Sequence, residues 1–531
     1  MDTRVFLILA SLSVSAFGAD LLVPSQYPTI LAAINAAAPG DTVVISPGMY
    51  AGQDNSNLYL SGKNVKIRST DPTNPDIIAG TIIDCFDMFY DGYSGNPAFY
   101  LDSNSTLILD GITILDGYAN FGGGIYCRNS TAIIRNCVFE NCMAYDQGGA
   151  FYAENSFVTF LNCTIYDSSS DTFGGAIYSR NSEVELKDCA ITENSARDSG
   201  GAIYAESNSK LSLNKCLLND NETELYGGAI CAHDCELSIT DCNIIGNATT
   251  RQLGFGGGIC STDSLASDSD FSTNNSDSLP TNSDSLPTSR VLITNSMIKH
   301  NFAAGYGGGI FAKNLSMSRC SIIGNISQSH GGGVLAIGQA NIKSSLFAGN
   351  GSWSGTALEI QTGNLVVEQC TITDNRSANS YEGAVNIFRS TASMKNSIFW
   401  DNNLNITTIF NSRVLIGYCD SGPSYSVSTN INVDPLFVRP GEWKNNSYIE
   451  GDYHLRPESA CINAGDPNVT IGADEIDLDG NARLRLGRID MGAYESGSGE
   501  MDFDQDGQVN FKDFARFTQS WLWQAAWREN E

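Results

Sequence analysis

The sequence predicts an all-β fold: a single-stranded right-handed parallel β-helix with a short N-terminal capping helix and a small C-terminal calcium-loop and helix segment. Three observations predict it. A degenerate repeat of roughly 26 residues runs through the chain in about ten copies. Every copy carries short apolar runs of strand character. Polar residues and cysteines recur at fixed places within the repeat, as stacked coils require. The segment GGAIYSRNSEVELKDCAITEN, Gly174 to Asn194, is followed by GGAIYAESNSKLSLNKCLLNDN from Gly200 and GGAICAHDCELSITDCNIIGN from Gly227. The first glycine of the pair falls at Gly122, Gly148, Gly174, Gly200, Gly227, Gly256, Gly307 and Gly331, with worn copies at Gly355 and Glu382.

Each copy reads as three strands and three turns, because three alternating or β-branched runs are separated by Gly, Asn, Ser and Asp. A unit this small cannot close its own core and must stack on its neighbours. Parallel stacking sets a rise of about 4.8 Å per coil, so a dozen coils make a rod on the order of 55 to 60 Å long. The long step from Gly256 to Gly307 contains NSDSLPT twice in succession, Asn275 to Thr281 and Asn282 to Thr288. A tract so rich in Ser, Asp and Asn reads as a disordered insertion, residues 261–289, projecting from one coil.

Stacking turns repeat positions into ladders. One comprises Cys137, Cys163, Cys189, Cys216, Cys242, Cys320 and Cys370, with Ser296, Ser345 and Ser397 at equivalent places. The other comprises Asn194, Asn221, Asn247, Asn301, Asn325, Asn350, Asn375 and Asn402. An Asn at a turn tolerates left-handed backbone angles, and its amide can bond the coils above and below. The chain has 15 cysteines, an odd number. Thiols stacked at the strand spacing hold their β-carbons about 4.8 Å apart, wider than the roughly 3.8 Å of a disulfide. The ladder cysteines are therefore expected as buried, reduced, small apolar residues. Off-ladder pairs, Cys231 with Cys235 or Cys137 with Cys142, stay open as bridges.

Five segments follow in order. Residues 1–19, with Arg4, the apolar stretch Val5 to Leu12 and small residues up to Ala19, read as a secretory signal peptide cleaved after Gly18 or Ala19. The rival reading, a membrane anchor, needs a longer apolar stretch than this one. Residues 20–120 are the N-terminal cap and first coils, with a helix expected over Ile30 to Ala38, a turn at Pro39 to Asp41 and then a strand. Residues 121–410 are the regular coils, 411–496 the terminal coils and a further module, and 497–531 a calcium-binding segment. A β-helix must cover its open ends, and both flanks are expected to do so.

The opening YPTILAAINAAAPGDTVVISPGMY, Tyr27 to Tyr50, resembles the cap and first coil of the pectin-lyase-like superfamily. The elements DPLF (Asp434 to Phe437), DYHL (Asp452 to Leu455), ACINAGDP (Ala460 to Pro467) and DLDGNARLRLGRIDMGAYE (Asp477 to Glu495) resemble the choice-of-anchor Q module. Over residues 120–402 the paired GGA[IV] and [FIL]xxN elements resemble the repeats of polymorphic outer membrane proteins. That resemblance implies surface adhesion, although no set of autotransporter barrel strands follows the repeats.

After the linker Ser496 to Gly499 comes MDFDQDGQVNFKDFARF. Asp502, Asp504 and Asp506 stand at loop positions 1, 3 and 5, Gly507 permits the turn at 6, Gln508 offers a carbonyl at 7, and Asp513 closes the loop at 12. Oxygen ligands at these spacings converge on one calcium ion. With Val509, Asn510 and an expected helix from Phe511 to Trp523, the segment resembles one repeat of a type I dockerin. The resemblance implies a cohesin-like docking partner. Dockerins carry two such loops and only one is present here. An acidic solvated tail is the plain alternative.

For function, charge excludes most readily. Thirty Lys and Arg against 59 Asp and Glu leave a formal charge of -29, with no basic run to neutralise phosphates, so nucleic acid is an unsuitable partner. The family strings of pectate lyases and polygalacturonases are absent, so no catalytic residue is assigned. Of His233, His300, His330 and His454, only His330, beside the Gly331 to Gly333 turn, merits examination for catalysis. Coils that stay regular from Gly122 to Asn375 favour a secreted or cell-surface, non-enzymatic adhesin or polysaccharide-binding scaffold. A calcium-dependent polysaccharide lyase or a glycoside hydrolase would be marked by two or more carboxylates with an Arg or Lys, and a docking subunit by the calcium loop.

Overall fold

The computed structural model describes residues 18–86, 97–263, 289–496, 511–516 and 518, apart from 423, 424, 426, 446, 473 and 486. It is a right-handed parallel β-helix. Among the described residues three long sheets run along the rod, of 25, 13 and 10 strands. Equivalent strands pair in parallel and in register, Ile177 with Ile203 and Tyr178 with Tyr204, for example. Across the long step the register survives, Leu237 pairing with Val291. Of the expected insertion, residues 264–288 lie outside the described residues. Ile259–Thr262 is a strand of the coil, and the Ser289 N–H donates to Asp263 at 2.8 Å.

The coil from 177 to 196 illustrates the local logic. Strands Ile177–Arg180 and Glu183–Lys187 both belong to the first sheet, Ala190–Thr192 to the second and Ser195–Ala196 to the third. Three faces are thus as expected, but there are four strand segments per coil rather than three. The fourth is only two residues long and its apolar signal is correspondingly weak. Ile177, Val184, Leu186 and Ile191 point inward and are buried, while the alternate residues of each strand face out.

Each corner joins a left-handed residue to an inward polar one. Asn181, Asp188 and Glu193 have φ of 46°, 53° and 57°, and are followed by buried Ser182, Cys189 and Asn194. This corrects the expectation for the asparagine ladder: the left-handed angle belongs to the preceding residue, and the ladder Asn is buried. Asn247 shows the bonding. Its backbone N–H and Nδ2 both donate to Asn301 Oδ1, at 3.0 and 2.9 Å, and Nδ2 also donates to Leu218 O at 3.1 Å. The same arrangement recurs from Asn194 to Asn402. Each ladder amide is therefore bonded to the coils on both sides, which fixes register far more tightly than an apolar contact does.

All 15 cysteines are buried and unbridged, including Cys231, Cys235, Cys137 and Cys142. Burial pushes the Cys137 and Cys320 thiols up to about 12, so they remain protonated.

At the N-terminus the helix α1 spans Ile30–Ala36, two residues shorter than expected, because Ala37 already turns to an extended conformation. Thr29 caps it by accepting from Ala32 N, and Ile30, Ala33 and Ile34 are buried against the first coils. A second helix, α2, Pro75–Gly80, was not foreseen, although Asn74 at its cap followed by Pro75 is a helix-start signal.

The C-terminal module behaves differently from expectation. It lies against the side of the second sheet instead of closing the end of the rod. Phe437, Tyr448, Tyr453, Cys461 and Met491 pack on Ile323, Leu346, Ala348 and Ile398. Asp374, on a corner of the rod, accepts from Gly441 N at 3.0 Å, Tyr448 OH at 3.0 Å and Tyr453 OH at 2.5 Å. The final strands, Ile406–Ile409 and Arg413–Gly417, contain only exposed and half-buried residues. Of the expected calcium-loop residues, Asp502, Asp504, Asp506 and Gln508 lie outside the described residues, as do 1–17 of the expected signal peptide. Asp513 is buried on a helical stretch over 511–516.

Candidate functional site

The outward residues of the first sheet build a second apolar cluster, separate from the core of the rod. Its spine is a column of rings, Tyr59, Tyr100, Tyr126, Tyr152, Tyr178 and Tyr204, stacked at centroid separations of 4.4 to 5.7 Å. The column exists because parallel register places equivalent outward residues one strand spacing apart, close to ring-stacking distance. Beside it runs the column that precedes each glycine pair: Phe121, Gln147, Phe173, Ser199, Tyr226, Phe255, Tyr306, His330 and Ser354. The glycine pair folds this second column back over the first. Gly200 has φ of 67°, and a Cβ there would meet Ile203 O at 2.5 Å, so no side chain fits.

Both columns change character at the same coils. The tyrosine position passes through Cys231, Cys260, Phe311 and Leu335 to Glu359 and then Asn386. In the second column the ring of His330 stacks on Tyr306 at 5.6 Å, Ser354 follows, and Glu382 takes the place of the next glycine. The premise of regular coils to Asn375 therefore fails on the outward face.

The substituted residues touch one another. Glu359 has 1% of its surface exposed. Its Oε2 lies 3.1 Å from His330 Nδ1 and accepts from Ser354 Oγ at 3.3 Å, and its Oε1 accepts from Gln361 Nε2 at 2.6 Å. Asn386 Nδ2 donates to Ser354 Oγ at 2.8 Å. Gly355 makes room for the carboxylate, since a Cβ there would meet Glu359 Oε2 at 2.8 Å. Glu382 completes the cluster. Burial and the neighbouring Glu359 hold its carboxyl above the ordinary carboxylate value, opposed by Ser354 and His330. Two buried acceptors have no hydrogen-bond partner, Glu382 Oε2 and Asn386 Oδ1.

Aromatic side chains flank the cluster on the solvent side. Trp353 and Tyr381, each one residue before a cluster member, are 55% and 82% exposed. One coil further on, where Ala384 N donates to Leu404 O, a cleft of about 370 Å³ is lined by Trp400, Tyr425 and a group of asparagines including Asn403 and Asn432. A different cleft, of about 520 Å³, lies over the first sheet between Glu183, Glu236, Lys210 and Arg290. Three carboxylates with Lys and Arg line it, counting Glu185. In that column Glu183, Lys210, Glu236 and Arg290 alternate in sign along the register and are all exposed, so it is a self-neutralising solvated face.

In the sequence His330 stands out as a turn histidine, and Gly355 and Glu382 mark worn copies of the repeat, with no motif that connects them. Aligning the residue after Ile, Tyr in each copy would have exposed Glu359 in the tyrosine column. The residues of the expected calcium loop are remote in sequence from this cluster, and among the described residues no helix is long and apolar enough to cross a membrane.

No curated protein matches the chain. Among solved structures, tailspike protein 3 of bacteriophage CBA120 is similar at 10% identity with a TM-score of 0.33, over 76% of this chain and 61% of that one. The chain thus spans less than two thirds of the tailspike. Pectate lyase Pel9A is similar at 13% identity and TM-score 0.27, over 87% of this chain and 90% of that one. A rhamnogalacturonan lyase is similar at 13% identity and TM-score 0.31, over 83% and 97%. The family model described as "Right handed beta helix region" matches residues 65–244 and 175–350, together more than half of the chain. The chain belongs to the right-handed β-helix family.

Proposed function

We propose that this is an exported protein that binds a polysaccharide or cell-surface glycan on the outward face of coils 330–386. The observation that carries the reading is the pairing of exposed Trp353 and Tyr381 with a buried polar cluster directly beside them. Large exposed rings next to convergent hydrogen-bonding groups are what a sugar needs: a flat apolar face for its C–H side and acceptors for its hydroxyls. The asparagine-lined cleft beside Leu404 extends the same surface, so a chain of several sugar units, rather than one, would be contacted. Affinity electrophoresis of the purified chain against neutral and acidic polysaccharides tests the reading. Retardation by at least one polymer, lost in the Trp353→Ala, Tyr381→Ala double variant with unchanged circular dichroism, is expected. Equal migration of both proteins in every gel contradicts it.

A second reading concerns attachment. The spacing of Asp502, Asp504, Asp506, Gln508 and Asp513 supports one calcium ion and a docking or sorting role for the C-terminal segment, with a cohesin-like module as partner. Calorimetric titration of calcium into the chelator-treated chain, with one site expected and none in Asp504→Asn, tests it.

A further inference from the structure

We infer that the cleft beside Leu404 takes an amino-sugar unit of the bound glycan, with the protonated amine of the sugar paired to Asp401. The inference rests on the glycan-binding reading above and adds to it the chemical class of sugar.

The cleft forms where the repeat runs out. Asn402 is the last rung of the asparagine ladder: its Oδ1 accepts from Asn375, and its Nδ2 donates to Ile372 O at 2.9 Å and to Asn405 Oδ1 at 3.1 Å. Asn405 Nδ2 in turn donates to Phe399 O at 3.0 Å and Ser421 O at 3.1 Å, tying the last regular corner to the segment that follows the final coil. The walls are thus held by the protein's own bonds. Half-buried Trp400 and Tyr425 bring rings to this space of about 370 Å³, and neither Lys nor Arg is among its lining residues.

Open polar groups on the cleft are the second, independent argument. Thr373 pairs with Trp400 in the second sheet, so Asp374 and Asp401 occupy the same corner one coil apart, both left-handed. The lateral module occupies the Asp374 carboxylate through Gly441, Tyr448 and Tyr453. Asp401 is exposed, and among the described residues it has neither a hydrogen-bond donor nor an ion-pair partner. Asn403 places Nδ2 on Ser377 O at 3.0 Å, which leaves its Oδ1 open, and the amide of exposed Asn432 bonds no described residue. Deeper in, Ser421 is 1% exposed and its Oγ has no partner.

The ligand class follows from that inventory. The open set is rich in acceptors and carries one uncompensated negative charge. A protonated sugar amine is a compact cation with three donors, matched by the Asp401 carboxylate and the Asn403 carbonyl, and ring faces attract both the cation and the C–H side of the sugar. A uronate would set its carboxylate against Asp401 in a chain of charge -29. An N-acetylated or plain neutral sugar would leave Asp401 uncompensated. The cleft is continuous with the exposed rings already described. Ser377, whose carbonyl accepts from Asn403, donates its Oγ to Trp353 O at 2.8 Å and accepts from Asn379 N at 3.0 Å, while Asn379 Oδ1 accepts from Tyr381 N at 3.1 Å.

The test is calorimetric titration of the full chain with the tetramer of glucosamine, its N-acetylated counterpart, cellotetraose and tetragalacturonate, in buffer acidic enough to keep the free amine protonated. The glucosamine tetramer is expected to bind about tenfold more tightly than the N-acetylated and neutral tetramers, tetragalacturonate least, and added salt should narrow the gap. Asp401→Asn, a change the left-handed corner tolerates, should abolish the preference and leave cellotetraose binding unchanged. Glu183→Gln, which removes one charge from the other cleft, should leave the preference intact. Equal binding of the glucosamine and N-acetylated tetramers overturns the inference and leaves glycan binding standing. A preference that survives Asp401→Asn, or that falls equally in Glu183→Gln, overturns it in favour of long-range attraction to the acidic chain. No binding of any tetramer overturns it as well, and together with unretarded polymers in affinity gels removes the reading beneath it.

Discussion

Coils 100–226 and coils 330–386 share one backbone and differ in what they carry on it. In the first stretch the outward column is a stack of tyrosines, with Tyr178 and Tyr204 almost wholly enclosed. In the second, the same column holds Glu359 and Asn386, tied to His330 and Ser354. Strand pairing and a line of inward corner bonds run through both stretches, with the asparagine ladder taking over from Cys142 and Ser168 at Asn194. The lesson is a division of labour. Inward corner residues hold the register, and this releases the outward columns to serve either packing or chemistry.

Breaking the inward ladder should hurt most, and equally in both stretches. Asn325→Leu removes the bonds to Asn301, Asn350 and Ile298 and strands their buried partners. A loss of about 5 kcal/mol is expected by chemical denaturation, and a similar loss for Asn221→Leu in the tyrosine stretch. The outward stack should matter less: Tyr178→Ala is expected to cost about 3 kcal/mol through the cavity and lost stacking. Gly200→Ala, forcing a side chain into a left-handed residue against Ile203 O, should cost about 2 kcal/mol.

The pH response separates the rod from its lateral module. Burial carries Asp420 up to about 7 and Glu495 to about 8. A carboxyl whose folded value exceeds its unfolded value binds its proton better when folded. Its contribution is complete below about pH 4 and is lost as pH rises through the folded values. The unfolding midpoint of the C-terminal module should therefore fall between pH 5 and pH 9, and Glu495→Gln should flatten that fall. Smallest of all should be the effect of Asp504→Asn, in the proposed calcium loop, which is expected to leave the midpoint of the rod unchanged.

Periodic features were legible in the sequence because a solenoid repeats its environment every coil. The cysteine and asparagine ladders and the glycine pairs could be read that way, and the helix from Ile30 from its own amphipathic pattern. Non-periodic features could not. The lateral docking of Phe437, Tyr448 and Tyr453 depends on a surface assembled from Ile323, Leu346 and Ile398, each of which looks like any other coil residue. The candidate site was hidden for a related reason. Glu359 and Glu382 stand 23 positions apart in the sequence, and only the register that places each beside Ser354 brings them together. A left-handed residue ahead of each ladder Asn was also missed, since Glu193, His300 and Asp401 share no residue type.

The central claim is that the broken stretch, and not the tyrosine stretch, is where glycan is engaged. Oxidative footprinting of the full chain, with and without a polysaccharide that retards it, tests this directly. Protection of Trp353 and Tyr381, with Tyr59 of the ring column and Tyr145 of the tyrosine stretch unchanged, is the predicted result. Protection of Tyr59 and Tyr145 with Trp353 and Tyr381 still oxidised would contradict it.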